Sequence, residues 1–397
     1  MREDFFVQDK SIPNNGLIRL TNIKFEENPA ILKMAEEARV AIEILNYELK
    51  KKPSLEVFLD TLYMQEARQS SSIENIETTN DELFKAVLGV FDSEETRAVH
   101  AYTDAIKYGS SLLTQKEMFN REDIDQMQAL LGISETGVRK NSPKIETSLT
   151  RIVNKATGEI VYTPPHGEGV IKNLLDDMLE FVYSDDIYTI HPLIKIALAH
   201  QQFEKIHPYK DGNGRTGRII NILLMVQKNY LCAPILYASN FINTHKSEYY
   251  QFLQDCDDGD YVPFVEFTLT SFLKSAQKTL SLVNAISAKV DGYSTTEYIN
   301  EERGFKGHTE LIKGIIKIMF TKVYFTRKDL EIVICVDKAS GKPKIEMPNK
   351  NTITAYLENF KNAGLIEEEV MVGKKGNPKI FKNVELIRII EEENNND

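Results

Sequence analysis

Residues 206–220 read I-H-P-Y-K-D-G-N-G-R-T-G-R-I-I, a short stretch dense in usable chemistry. His207 titrates near neutrality and can take or release a proton. Asp211 supplies a carboxylate four positions on. Gly212-Asn213-Gly214 makes a tight turn, and Arg215 and Arg218 follow it. The patterns at 193–205 and 215–230 both read as helices, so the motif is a loop opening onto a helix N-terminus. A glycine-rich turn there leaves backbone N–H groups pointing outward, where they and the helix dipole attract an anion. Two guanidinium groups in the first turn are badly placed for that dipole. They make sense facing a phosphate, which a planar guanidinium grips with two parallel bonds. A zinc site is a poor alternative, because His191, His200 and His207 lack the i, i+4 spacing of a helical pair.

The elements that must position these groups are mostly helical. Apolar periodicity marks helices at 30–51, from about Pro53 to 68, and across 80–130, with Gly132 as a stop. Further helices read at 170–183, 193–205, 215–230, 243–255 and 264–285. Texture changes at 144–162, where two β-rich runs flank Thr157-Gly158 and read as a hairpin closed by Pro164-Pro165. Residues 292–307 are polar with glycines and read as a linker. Beyond it, helices are expected at 311–320, 325–333 and 351–363, the last capped by Gly364. A hairpin from 365–372 to 379–381 follows.

The 206–220 stretch resembles the signature of the Fic family, H-x-F-x-[D/E]-G-N-G-R-x-x-R, at every specified position but one; Tyr209 stands where the family has Phe. Ser70-Ser71-Ser72-Ile73-Glu74-Asn75 resembles that family's inhibitory motif, [S/T]-x-x-x-E-[G/N], with Ser70, Glu74 and Asn75 in the fixed places. The resemblance implies a mainly α fold: a Fic-type helical bundle with a β-hairpin flap at 145–162. The winged-helix-like pattern of residues 309–397 adds a C-terminal unit. The implied organisation is an N-terminal helical region at 1–110, a Fic domain at 111–288, a linker at 289–308 and the C-terminal unit at 309–397.

The resemblance also implies a function, protein adenylyltransfer: AMP passes from ATP to a Ser, Thr or Tyr hydroxyl of a target protein, with release of pyrophosphate. His207 would be the base, Asp211 the Mg²⁺ ligand, and Gly212, Asn213, Gly214, Arg215 and Arg218 the phosphate site. Tyr250 and Leu253 would flank the adenine, with Asp257 beside it. Glu74 would pair with Arg218 and hold the enzyme inhibited. The flap would hold the target by strand addition. Two alternatives stay open: a hydrolase that removes AMP through the same site, and a DNA-binding regulator with a nucleotide-sensing Fic domain. DNA is not favoured, because in the C-terminal unit acids match the bases. A homodimer is left open.

Composition bounds the rest. The chain has 397 residues, 42% hydrophobic and 27% charged, typical of a globular protein. Net charge is −11, against electrostatic binding of nucleic acid by the molecule as a whole. Cys232, Cys256 and Cys335 are too scattered for a metal or disulfide framework. The first residues lack an apolar signal core and no run is long enough to span a bilayer, so a cytoplasmic setting without membrane contact is expected.

Overall fold

The computed structural model describes residues 9–51, 56–89, 91, 93–140, 149–154, 157–295, 309–336, 342–371 and 378–395. The described chain is mainly helical. Its helices are α1 (Pro29–Lys51), α2 (Glu56–Ile73), α3 (Asn80–Ala86), α4 (Glu94–Leu113), α5 (Arg121–Leu130), α6 (Glu168–Tyr183), α7 (Pro192–Ile206), α8 (Asn213–Gln227), α9 (Ala238–Thr244), α10 (Lys246–Asp255), α11 (Val262–Tyr293), α12 (Thr309–Thr321), α13 (Lys350–Asn362) and α14 (Val384–Asn395). The strands are β1 (Ile152–Val153), β2 (Ile160–Tyr162), β3 (Tyr324–Thr326), β4 (Val333–Val336), β5 (Pro343–Glu346), β6 (Ile366–Val370) and β7 (Lys379–Asn383).

Helices α7 and α8 form the centre. Both bury almost their whole circumference, polar side chains such as His200, Gln202, Arg215 and Arg218 included. Helix α7 starts at Pro192, whose missing N–H costs nothing in a first turn. Helices α4 and α5 cover α8, α6 covers α7, and α1 lies along α11 through the Ile31, Ala35, Ala38, Ile42 stripe. Thr79 and Asn120 close capping boxes at the starts of α3 and α5.

Helix α2 runs beneath this centre and is fastened at several points. The buried Glu66 carboxylate accepts from the Ser239 N–H at 3.0 Å and from the Ser239 hydroxyl. Asn243 donates to Gln69 at 2.7 Å. From the C-terminal part, Asn394 donates to Gln65 at 3.2 Å and accepts from the Tyr237 hydroxyl at 3.0 Å, while α12 packs on α2.

Three expectations need correction. The helix expected at 325–333 is instead β3, a 3-10 turn (Arg327–Leu330) and β4. Tyr324 and Phe325 pair with Lys382 and Phe381 of β7, and Thr326 forms a capping box with Asp329, which ends the strand at once. The helix expected at 243–255 is two, broken at His245. There the Thr244 hydroxyl donates to Asn240 and Phe241 carbonyls, so side chains compete for the bonds a continuous helix would use. Finally α11 continues to Tyr293, through the start of the expected linker, because Ile286 and Ser287 are still buried. The remainder of that linker, 296–308, lies outside the described residues.

The hairpin is present as β1 paired antiparallel with β2, although 141–148 and 155–156 lie outside the described residues. The C-terminal β3, β7 and β6 form an antiparallel sheet in that order, beside α12, α13 and α14, and β4 pairs with β5. Among the described residues no helix is long and apolar enough to cross a membrane.

Leu386 of α14 is fully buried where α14 meets α11. Leu386→Ala is expected to cost about 2–5 kcal/mol, read as a lower denaturant midpoint. An unchanged midpoint would contradict the packing.

Candidate functional site

The last turn of α7 delivers His207. It caps the helix with φ +46°, a left-handed conformation rare for a residue with a side chain, and its N–H still bonds the Phe203 carbonyl at 2.9 Å. Pro208 follows and cannot continue the helix. The carbonyls left over at this helix end are taken by one side chain the motif does not contain. Arg139 donates to the His207 carbonyl at 2.8 Å, to Ile206 at 3.2 Å and to Pro165 at 3.0 Å. Burial lowers the Arg139 pKa to about 10. Burial, and then Arg139, bring His207 down to about 4, with Glu74, the Glu204 carbonyl and Asp211 pulling the other way. The ring is therefore neutral at pH 7 and able to accept a proton.

The loop then turns onto α8. Asn213 closes it on itself, its amide bonding both the N–H and the carbonyl of Tyr209 at 2.9 Å. Expected beside the anion, the Asn213 side chain is instead spent on loop shape. Tyr209 is buried, and its hydroxyl donates to Asp125 at 2.7 Å, a bond that the family's phenylalanine lacks. Gly212 has φ +81°, a conformation that strains any residue with a side chain, and a Cβ there would also push Ile133 Cδ1, 2.4 Å away. Its N–H donates to Asp211 Oδ1 at 2.6 Å. Asp211 is 67% exposed at the cavity edge, 3.7 Å from the buried Arg215.

Glu74 reaches this same helix start from the opposite side. At the end of α2, Asn75 takes φ +63° and Ile76 N–H bonds back to the Ser71 carbonyl at 3.1 Å, a Schellman-type stop for which asparagine or glycine is the natural residue. The turn leaves Glu74 Oε1 2.9 Å from Arg218 Nη2. Ser70 holds the same guanidinium through its hydroxyl and its carbonyl, both at 2.8 Å. A Cβ on Gly214 would come within 2.2 Å of Glu74 Oε1, so the carboxylate lies against the first turn of α8, where an anion is favoured. Burial alone would raise the Glu74 carboxyl; Arg218, helped by Arg215 and His207, holds it below the usual carboxylate value.

These groups line one cavity of about 360 Å³. Tyr250 and Leu253 of α10 form its far wall, and Val153 and Tyr162 of the hairpin its lid side. The structure thus brings Glu74, His207, Asp211, Gly212, Asn213, Gly214, Arg218, Tyr250 and Leu253 to one place. Ser70 lies behind Arg218, and Asn75 accepts from Lys246 at 3.1 Å. Asp257 is engaged by Lys205 at 2.6 Å rather than left free for a base. Arg139, Asp125 and Gln128, which bonds the Asp211 carbonyl at 3.2 Å, went unrecognised because nothing local in the sequence links them to the loop.

Comparison with known proteins gives a consistent picture. Residues 32–111 match the Fic/DOC family N-terminal region and 118–225 the Fic/DOC family. Protein adenylyltransferase Fic of Drosophila erecta is 35% identical over 118 residues, 30% of this chain and 22% of that protein. The Culex quinquefasciatus protein of the same name is 27% identical over 191 residues, 43% of this chain and 37% of its own length. This chain therefore spans well under half of either relative. A crystal structure of a Fic family protein from Desulfovibrio desulfuricans G20 matches 91% of this chain and 97% of its own, at a TM-score of 0.54 and 19% identity, a likeness of fold.

Two results are expected. The His207 ring, followed by ¹⁵N NMR, stays neutral down to a midpoint near pH 4; a midpoint near 6.5 would contradict its burial. Arg139→Ala, which strands three carbonyls, is expected to destabilise by about 1–3 kcal/mol or more in urea unfolding, whereas a loss below about 0.5 kcal/mol would show the carbonyls satisfied otherwise.

Proposed function

Because the chain belongs to the Fic/DOC family over residues 32–111 and 118–225, we propose that it is an auto-inhibited protein adenylyltransferase. It moves AMP from ATP to a Ser, Thr or Tyr hydroxyl of a target protein, itself included. The observation that carries this reading is the convergence of a neutral imidazole, a carboxylate and a buried guanidinium around one cavity at the mouth of α8.

The chemistry follows from the residues. A hydroxyl is a weak nucleophile at pH 7, and neutral His207 takes its proton as the oxygen attacks the α-phosphorus. The bond from the α-phosphorus to the bridging oxygen breaks and pyrophosphate leaves. The open amides of the α8 first turn and Arg218 offset the charge of the chain of phosphates, which is most of what such a transfer requires. Tyr250 and Leu253 supply an apolar wall for adenine. A divalent cation fits the donor set: Asp211 is one exposed carboxylate, and no cluster of three or more acid, His or Cys ligands exists among the described residues. Asp211 would hold Mg²⁺, which would neutralise charge on the phosphates.

Auto-inhibition rests on Glu74. Its carboxylate occupies the Arg218 guanidinium and the helix start that the γ-phosphate needs. The hairpin supports a protein target: β1 and β2 each have one strand neighbour among the described residues, leaving an edge for an extended segment. The C-terminal unit we read as winged-helix-like, with an interaction or scaffold role. Lys361 of α13 is tied to Glu358 at 3.3 Å and Glu368 at 3.4 Å, which disfavours a DNA-reading face. Free thiols at Cys232 and Cys256 suit the cytoplasm.

The test uses labelled ATP with Mg²⁺. Glu74→Gly is expected to incorporate about tenfold more label than wild type, a shift of about 1.4 kcal/mol. Adding His207→Ala should cut it by about 10²–10⁴. No label on Glu74→Gly, or equal label on the double variant, would overturn the reading. Wild type releasing AMP from a modified protein, with Glu74→Gly unable to, would favour the hydrolase instead.

A further inference from the structure

Glu204 is a carboxylate that the proposed transfer leaves without work. It lies three residues before His207 on the last turn of α7 and lines the same cavity. Its Oε1 is buried and has no hydrogen-bond partner among the described residues. The charged groups around it are committed elsewhere. Arg218 is held by Ser70 and Glu74. Lys205 is held by Asp257 at 2.6 Å. Burial, opposed by Arg218 and reinforced by Glu74, pushes the Glu204 carboxyl up to about 7. A buried acid left unpaired carries a desolvation cost that an apolar residue in its place would avoid.

Resting on the reading of this cavity as a nucleotide site, we propose that Glu204 accepts a hydrogen bond from the nucleoside half of the donor and so sets which nucleotides the site takes. In its ionised form Glu204 only accepts, so its partner is a donor, whereas the phosphates of a nucleotide offer acceptors and would repel it. Donors on the ligand are the ribose hydroxyls and the exocyclic amine of the base. Glu204 lines the cavity together with Arg218, which this reading puts at the phosphate end, and Tyr250, which it puts at the base end. A carboxylate accepting from ribose hydroxyls is a recurring solution in nucleotide sites.

The structure also defines the competing account. His200 Nδ1 is likewise buried without a partner, and both it and Glu204 Oε1 lie 3.3 Å from the point where a Gly217 Cβ would stand. A small rotation could pair Glu204 with His200, a purely structural bond, with no effect on which nucleotide binds.

Calorimetric binding to the full-length Glu74→Gly protein separates the two. The probes are ATP, 2′-deoxy-ATP, 3′-deoxy-ATP and the purine riboside triphosphate that lacks the amine. One analogue is expected to bind about tenfold more weakly than ATP, and its identity names the atom Glu204 holds. Glu204→Ala should erase that one ratio by weakening ATP alone, and Glu204→Gln should keep part of it. Equal weakening of all four nucleotides by Glu204→Ala, no weakening, or no discrimination in the parent would overturn the proposal. Should Glu204→Ala fail to fold, the Glu204→Gln ratios decide. These are binding measurements, so the pattern stands or falls apart from transfer: ratios as expected with no label reaching protein would reject the transferase and keep the assignment of Glu204.

Discussion

The ion pair between Glu74 and Arg218, laid against the bare backbone of Gly214, is the contact on which the rest of the site depends. A helix start with open amides and a buried guanidinium is a strong anion attractor. Left without an anion, the buried guanidinium would bear an uncompensated charge. Glu74 supplies the compensation from within the chain, and its pKa falls as a result despite its burial. On the proposed reading, the same electrostatics stabilises the protein and opposes a phosphate at that place. Arg218 is buried while Glu74 is 33% exposed, so removing the carboxylate leaves a buried guanidinium held by Ser70 alone, at a cost in stability. Gain of activity and loss of stability are thus expected to arise from one contact.

That contact is only as precise as its two supports. On one side, the turn that carries His207 and Asp211 is fixed by the Asn213 amide, the Tyr209–Asp125 bond and the Arg139 clamp on the end of α7. On the other, α2 is anchored through buried Glu66 to Ser239, at the start of α9. Asn394 of α14 reaches the same helix through Gln65. The helix that presents Glu74 is thus held by both α9 and the C-terminal part of the chain. A ligand or partner that moved either would act on the Glu74–Arg218 pair without touching it.

Much of this could be read from residue order alone, for physical reasons that differ between elements. The 206–220 loop was legible because its chemistry is local: glycines where backbone approaches closely and Arg218 at the cavity, whereas Arg215, expected beside it, is buried behind the lining, 3.7 Å from Asp211. Glu74 was legible through a spaced pattern, and the left-handed Asn75 now explains why that pattern ends in Gly or Asn. The helices with continuous apolar stripes were placed well. Reading failed where tertiary pairing overrode local pattern. Tyr324 and Phe325 look equally helical and extended until β7 claims them. Arg139 sits in a loop 68 positions from the carbonyl of His207, and nothing near it in sequence hints at the contact. Asn213 was read as an anion ligand from the glycines and arginines beside it, yet its amide is used to close the turn. Glu204 passed as one more polar residue on a helix, and only its unpartnered oxygen in the cavity sets it apart.

The central claim is that Glu74 and the terminal phosphate of ATP compete for one place. Comparing the affinities of wild type and Glu74→Gly for ATP and for AMP tests it most directly. The account predicts that removing the carboxylate tightens ATP by about tenfold or more while AMP changes little. Equal tightening of both nucleotides, or of neither, would contradict it.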